Sequence, residues 1–139
     1  MFRKILIAND GSAGAATALT AAITLAKQSK AELHMICVEE LPQFPTSIEE
    51  VIEEKQEANH VFSDVIARAQ AEAKAHHLKL TAHVVAGHAV ARIVEAIEEQ
   101  RFDLLVVGFM GHAALYNRLV GGTTDRLVEM APCSVLVVK

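Results

Sequence analysis

Short aliphatic runs alternate along this chain with longer segments whose apolar residues recur at helical spacing. Ile5 to Ala8 is the first run, and Asn9-Asp10-Gly11-Ser12 closes it with turn chemistry. Ser12 is placed to cap a helix in which Leu19, Ala22, Ile23 and Ala26 share one face. Leu33 to Val38 predicts a second strand, and the prolines of Leu41 to Pro45 predict a loop. Ser47 and Glu50 then form a capping-box pattern ahead of a long stripe from Ile48 to Ala73, with polar Lys55 and Asn59 marking a place where it could bend. In Leu78 to Ala86, Leu80, Ala82 and Val84 alternate with Lys79, Thr81 and His83, and Gly87 ends the strand. Val90, Ile93, Val94 and Ile97 mark the next helix, and Leu104 to Val107 a fourth strand. A helix holding Leu127, Val128 and Ala131 stops at Pro132, and Val135 to Val138 is a terminal strand.

The order is βαβαβαβαβ. Strands alternating with helices predict a parallel sheet covered on both faces, and the continuous aliphatic character of the strands agrees. Right-handed crossovers make this an α/β, doubly wound, five-stranded fold spanning residues 1–139 as a single domain. Ligands in such sheets sit beyond the carboxyl ends of the strands where strand order reverses. Asp10 ends strand one and Gly108 ends strand four, so both face one crevice if those strands are neighbours.

Composition narrows the function. The core is aliphatic, because hydrophobic residues make up 52% of the chain and aromatics only 4%. A net charge of −4 and the lack of any basic block remove the electrostatic footprint of a nucleic-acid binder. The apolar stretch near Met1 is too short for a signal peptide or membrane span, so a cytoplasmic protein is expected. Cys37 and Cys133 sit in or beside strand-like runs and read as buried free thiols of a reducing compartment. The seven histidines show no H-x3-H spacing and no cysteine partner, so no metal site is expected. His34 is expected to face solvent or make a local hydrogen bond.

The chemistry concentrates after strand four. Gly108-Phe109-Met110-Gly111, nine residues, then Gly121-Gly122-Thr123-Thr124 leads from a strand into a helix start. Glycine lets backbone approach a ligand closely, and a helix N-terminus attracts phosphate. The segment therefore suits a nucleotide-phosphate cradle, although glycine pairs also serve as plain turns. A Walker A string G-x-x-x-x-G-K-[ST] is absent, and so is the dinucleotide fingerprint after strand one. A phosphoacceptor receiver needs an acidic residue after strand three, where Ala86-Gly87-His88 stands.

The spacing Gly108-x2-Gly111-x9-Gly121, the opening Lys4-Ile-Leu-Ile-Ala-Asn-Asp-Gly-Ser12 and the ending Ala131-Pro-Cys-Ser-Val-Leu-Val-Val138 together resemble the universal stress protein family, over essentially the whole chain. The resemblance implies a Rossmann-like, adenine-nucleotide α-hydrolase-like fold and an adenine-nucleotide site for ATP or AMP, with any Mg2+ held mainly by the phosphates. Asp10 would sit beside ribose and adenine, the backbone of Ala8 and Asn9 would line the base, and Met35 would supply an apolar adenine contact. Val107, Gly108 and Gly111 would bring strand four and its loop to the phosphates, with Gly121, Gly122, Thr123 and Thr124 at the helix start. Gly122 departs from the Ser or Thr usual after the third motif glycine, so the hydroxyl would have to come from Thr123 or Thr124. One of those threonines is also expected to cap the helix. His112 stands where many relatives carry a basic residue such as Arg. The reading is a stress-response binding module without catalytic residues, whose nucleotide would order the Gly111–Gly121 loop. The alternatives are a slow ATP hydrolase or phosphotransfer enzyme, and a nucleotide-free interaction module. The resemblance also implies an antiparallel homodimer through Val135 to Val138, a short apolar edge blunted only by Lys139.

Overall fold

Aliphatic runs too short to be helices and apolar on both faces become strands only if both faces are covered. That is the arrangement in the computed structural model, which describes residues 1–40, 48–109 and 122–139, with the backbone alone for 48–59 and 61. The elements are β1 (Lys4–Ala8), α1 (Ala13–Ser29), β2 (Glu32–Glu39), α2 (Ile48–Ala75), β3 (Leu80–Ala86), α3 (Ala89–Gln100), β4 (Leu104–Gly108), α4 (Thr123–Met130) and β5 (Ser134–Val138). The strands form one parallel sheet in the order β3-β2-β1-β4-β5. Strand order therefore reverses between β1 and β4, where Ile5 stands beside Leu104 and Ile7 beside Val106.

The pleat sends alternate residues to two cores. Ile5, Ile7, Leu33, Met35, Leu104 and Val106 pack with α1 and α2. Leu6, Ile36, Leu105 and Val107 pack with α3 and α4 through Val90, Ile93, Ile97 and Leu127. Helix α1 starts where the Ser12 hydroxyl accepts from the Ala15 N–H at 3.1 Å, so the predicted cap is present. It ends with Lys30 in the left-handed region at φ 55°, and α3 ends the same way at Arg101. The predicted bend at Lys55 and Asn59 does not interrupt α2, which is one helix of 28 residues. Phe62, Val65, Ala69 and Ala73 carry its burial.

Two local expectations differ from the structure. Val128, expected on the buried stripe of the last helix, is 51% exposed, because an eight-residue helix covers the sheet mainly through Leu127. Ala131 lies beyond the helix, as its C-cap. His34 has the local neighbour that was expected, Glu32 at 3.7 Å, but its short bond is to the distant His83, at 2.9 Å. The segment Leu41 to Pro45 and Ser47 lie outside the described residues.

Candidate functional site

The β1 exit is a chain of hydrogen bonds written by four consecutive residues. The Asn9 N–H donates to the Ile36 carbonyl at 3.0 Å, extending β1 along β2. Its side-chain oxygen accepts from the Gly11 N–H at 2.9 Å, and its amide nitrogen donates to the Met35 sulfur at 3.4 Å. Asp10 accepts from the Ser12 N–H at 2.9 Å. Gly11 adopts φ 84°, a conformation that side chains resist, which explains a glycine here. Asn9 is thus buried as the floor of the turn, while Asp10 is exposed at its rim. Beneath them burial pushes the Cys37 thiol up to about 11, and the negative charge of Asp10 adds to the shift.

The β4 exit meets the same place. A Cβ on Gly108 would lie 2.6 Å from the carbonyl carbon and oxygen of Gly14 and 2.9 Å from the Ala15 nitrogen. Gly108 is therefore a glycine because the end of β4 presses on the first turn of α1. The close approach that the sequence suggested for a ligand is taken by protein backbone. The start of α4 closes onto the same residue: the Thr124 hydroxyl donates to the Gly108 carbonyl at 2.9 Å. Gly122, not a threonine, is the N-cap of α4, buried and with no side-chain cap bond. Thr123 is exposed in the first turn.

The expected binding residues separate accordingly. Ala8, Asn9, Asp10, Val107, Gly108, Gly122, Thr123 and Thr124 lie on adjacent strand ends or on the helix start tied to them. Met35 lies apart from these strand ends. It stands mid-strand beside Ile7, fully buried in the α1–α2 core, and supports the turn through Asn9. Val107 is likewise buried against the α3–α4 layer. Gly111, His112 and Gly121 lie outside the described residues.

Two residues at this end of the sheet escaped the sequence reading. Lys139 holds its ammonium 5.1 Å from the Phe109 ring centroid, and the Phe109 N–H donates to the Val138 carbonyl at 3.0 Å. A cation is thus fixed beside the β4 exit. Glu39, at the carboxyl end of β2, is buried with its Oε1 atom lacking a hydrogen-bond partner. Its only sequence signal was an acid ending an aliphatic run.

The universal stress protein family model matches residues 1–139. The chain belongs to the universal stress protein family. A family member from Methanocaldococcus jannaschii is 32% identical over 148 residues, covering all of this chain and 83% of that protein. One from Bacillus subtilis is 28% identical over the full length of both. Among solved structures, the universal stress protein UspA from Lactobacillus plantarum superposes with a TM-score of 0.89 at 25% identity, over 99% of this chain and 98% of that one. A universal stress protein in complex with cAMP superposes with a TM-score of 0.80 at 25% identity, over 99% and 97% of the two chains. The five-stranded parallel sheet, with the four helices among the described residues, is that of these relatives.

Proposed function

We propose that this universal stress protein binds an adenine nucleotide, ATP or AMP, in the crevice beyond β1 and β4, and acts as a stress-response binding module. The observation that carries the reading is the meeting of the Asp10 turn and the α4 start at the one point where strand order reverses. The cAMP complex of a structural relative supports the ligand class.

The described residues fit such a ligand in distinct ways. The first turn of α4 offers backbone N–H groups and the positive end of a helix to phosphate. The exposed Thr123 supplies a hydroxyl, and Lys139 supplies a cation beside the β4 exit. The Asp10 carboxylate and the unpartnered oxygen of Glu39 are acceptors suited to ribose hydroxyls or the adenine amino group. Gly108 and Met35 act behind the site, one by letting β4 touch α1 and the other by holding Asn9. No group of three metal-ligating side chains exists among the described residues, so Mg2+ would be carried by the phosphates.

Titration calorimetry with ATP, ADP, AMP and cAMP at millimolar concentration tests the reading. Saturable heat, weakened by about tenfold in Asp10→Ala through loss of a charged acceptor, is the expected result. A chain that shows no saturation with any of the four is a nucleotide-free module instead. The reading extends to a cytoplasmic homodimer. Cys37 and Cys133 are unpaired thiols, as a reducing compartment maintains, and β5 is an edge strand with Leu136 partly exposed.

A further inference from the structure

On the opposite side of β1 from β4, two imidazoles meet across the β2–β3 pair. His34 Nδ1 and His83 Nε2 are 2.9 Å apart, with the ring planes 3° from parallel and the centroids 5.2 Å apart. That centroid distance is the largest that two imidazoles joined by such a bond can have. The rings therefore lie side by side in nearly one plane, joined head-on, rather than face to face. Both lone-pair directions are spent on each other, so the pair is not poised to chelate a metal, and no metal-ligating group of three occurs among the described residues.

The surroundings make this bond sensitive to protons. Phe102 meets the His34 ring edge-on at 5.0 Å. Glu32 on β2 places a carboxylate oxygen 3.7 Å from His34 Nε2, the nitrogen not used in the bond. Lys4 on β1 faces the pair from the other strand. His83 also lines a cleft of about 80 Å³ with Arg92, Glu95 and Glu99 of α3, where Arg92 and Glu95 are paired at 2.8 Å. Burial holds His34 below the ordinary imidazole range, with His83 and Lys4 adding to the effect and Glu32 opposing it.

We propose that the His34–His83 bond is a proton-operated tie that fastens edge strand β3 to the sheet and releases it in acid. The proton inventory gives the switch its shape. The neutral pair holds one proton between the rings and one on an outer nitrogen. A first added proton takes the other outer nitrogen, and the bridging bond survives in a charge-assisted form. A second added proton has only the bridge left, where two N–H groups would face each other, so the bond breaks. The freed His83 imidazolium then turns toward the cleft that Glu95 and Glu99 line. Among the described strands β3 pairs with β2 alone, so its loosening uncovers the β2 edge for another chain.

The test is an imidazole nitrogen NMR titration of the full chain from pH 8 to 4.5, with amide hydrogen exchange followed in parallel and corrected for intrinsic rates. The expected result is two coupled steps separated by more than about one unit. At the lower step, β3 protection should fall by about tenfold or more while β1 and β4 keep theirs. In His83→Gln, whose amide bonds to His34 but takes no proton, the lower step disappears and β3 protection stays level. Two imidazoles that titrate independently, or β3 protection unchanged through both steps, would overturn the proposal. The wild-type titration decides this even if the variant does not fold.

Discussion

The Thr124 hydroxyl donates to the Gly108 carbonyl across 2.9 Å, joining the start of α4 to the end of β4. A hydroxyl has one proton, so while that bond stands Thr124 has none to give a phosphate. Thr123 is exposed in the same turn. The two threonines should therefore separate by mutation. Thr124→Val leaves a part-buried carbonyl without its donor and should cost about 1–2 kcal/mol, roughly 3–7 °C in melting temperature. Thr124→Ser should recover most of it. Thr123→Val should change stability by less than about 0.5 kcal/mol yet weaken nucleotide binding. Melting curves and calorimetry on the same three variants check both halves.

Gly108 makes the second prediction, since its role differs from the one its motif suggests. The atoms a Cβ would strike, at 2.6 Å, are backbone atoms of Gly14. They cannot swing aside as the end of a side chain does, so the α1 turn or the β4 end must move. Gly108→Ala should lower the urea midpoint by the equivalent of about 1–3 kcal/mol, in the absence of any nucleotide. A variant as stable as the parent, with only nucleotide affinity reduced, would return Gly108 to the role of ligand cradle.

These two residues show where sequence reasoning stops. The spacing of glycines identifies a backbone that something approaches closely, but not whether that something is a ligand or Gly14. Strand runs such as Ile5 to Ala8 and Leu104 to Val107 were legible because aliphatic residues fill both faces. From that covered sheet it followed that the ends of β1 and β4, with Asp10 and Gly108, could be neighbours where strand order reverses, and they are. The reading of His34 caught its local neighbour Glu32 but not His83, which lies 49 residues away, beyond any local pattern. Met35 is buried at 0% exposure beside Ile7, and no local pattern in the sequence gives that depth.

The edge of the sheet makes a third prediction. β5 pairs with β4 alone among the described strands, and Leu136 leaves it 37% exposed, with Val128 and Met130 of α4 also exposed. An apolar edge of this kind is a template for a second copy. Light scattering at micromolar concentration should report a dimer. Leu136→Lys should shift it toward monomer without loss of helical circular dichroism, because the side chain is too exposed for its replacement to open the core. A wild-type monomer under the same conditions would remove β5 as an assembly edge.

Cys37 gives the chain an alkaline limit. Its thiol is buried, and its pKa rises from 9.0 to about 11, first through loss of water and then through the charge of Asp10. A folded pKa above the unfolded one means that the unfolded chain loses this proton first. The stability tied to the thiol is thus fully present below pH 9 and is lost as pH climbs from 9 toward 11. A shift of that size corresponds to about 3 kcal/mol at the far end. The informative quantity is the difference between two profiles, which isolates the thiol. Urea unfolding of the parent and of Cys37→Ala at intervals from pH 8 to 11 should show the parent losing stability more steeply. At pH 8 the same burial should leave Cys37 far slower to alkylate than the half-exposed Cys133. Equal slopes in the two proteins would mean that the folded thiol ionises as readily as the unfolded one, and that the cover over β2 admits water.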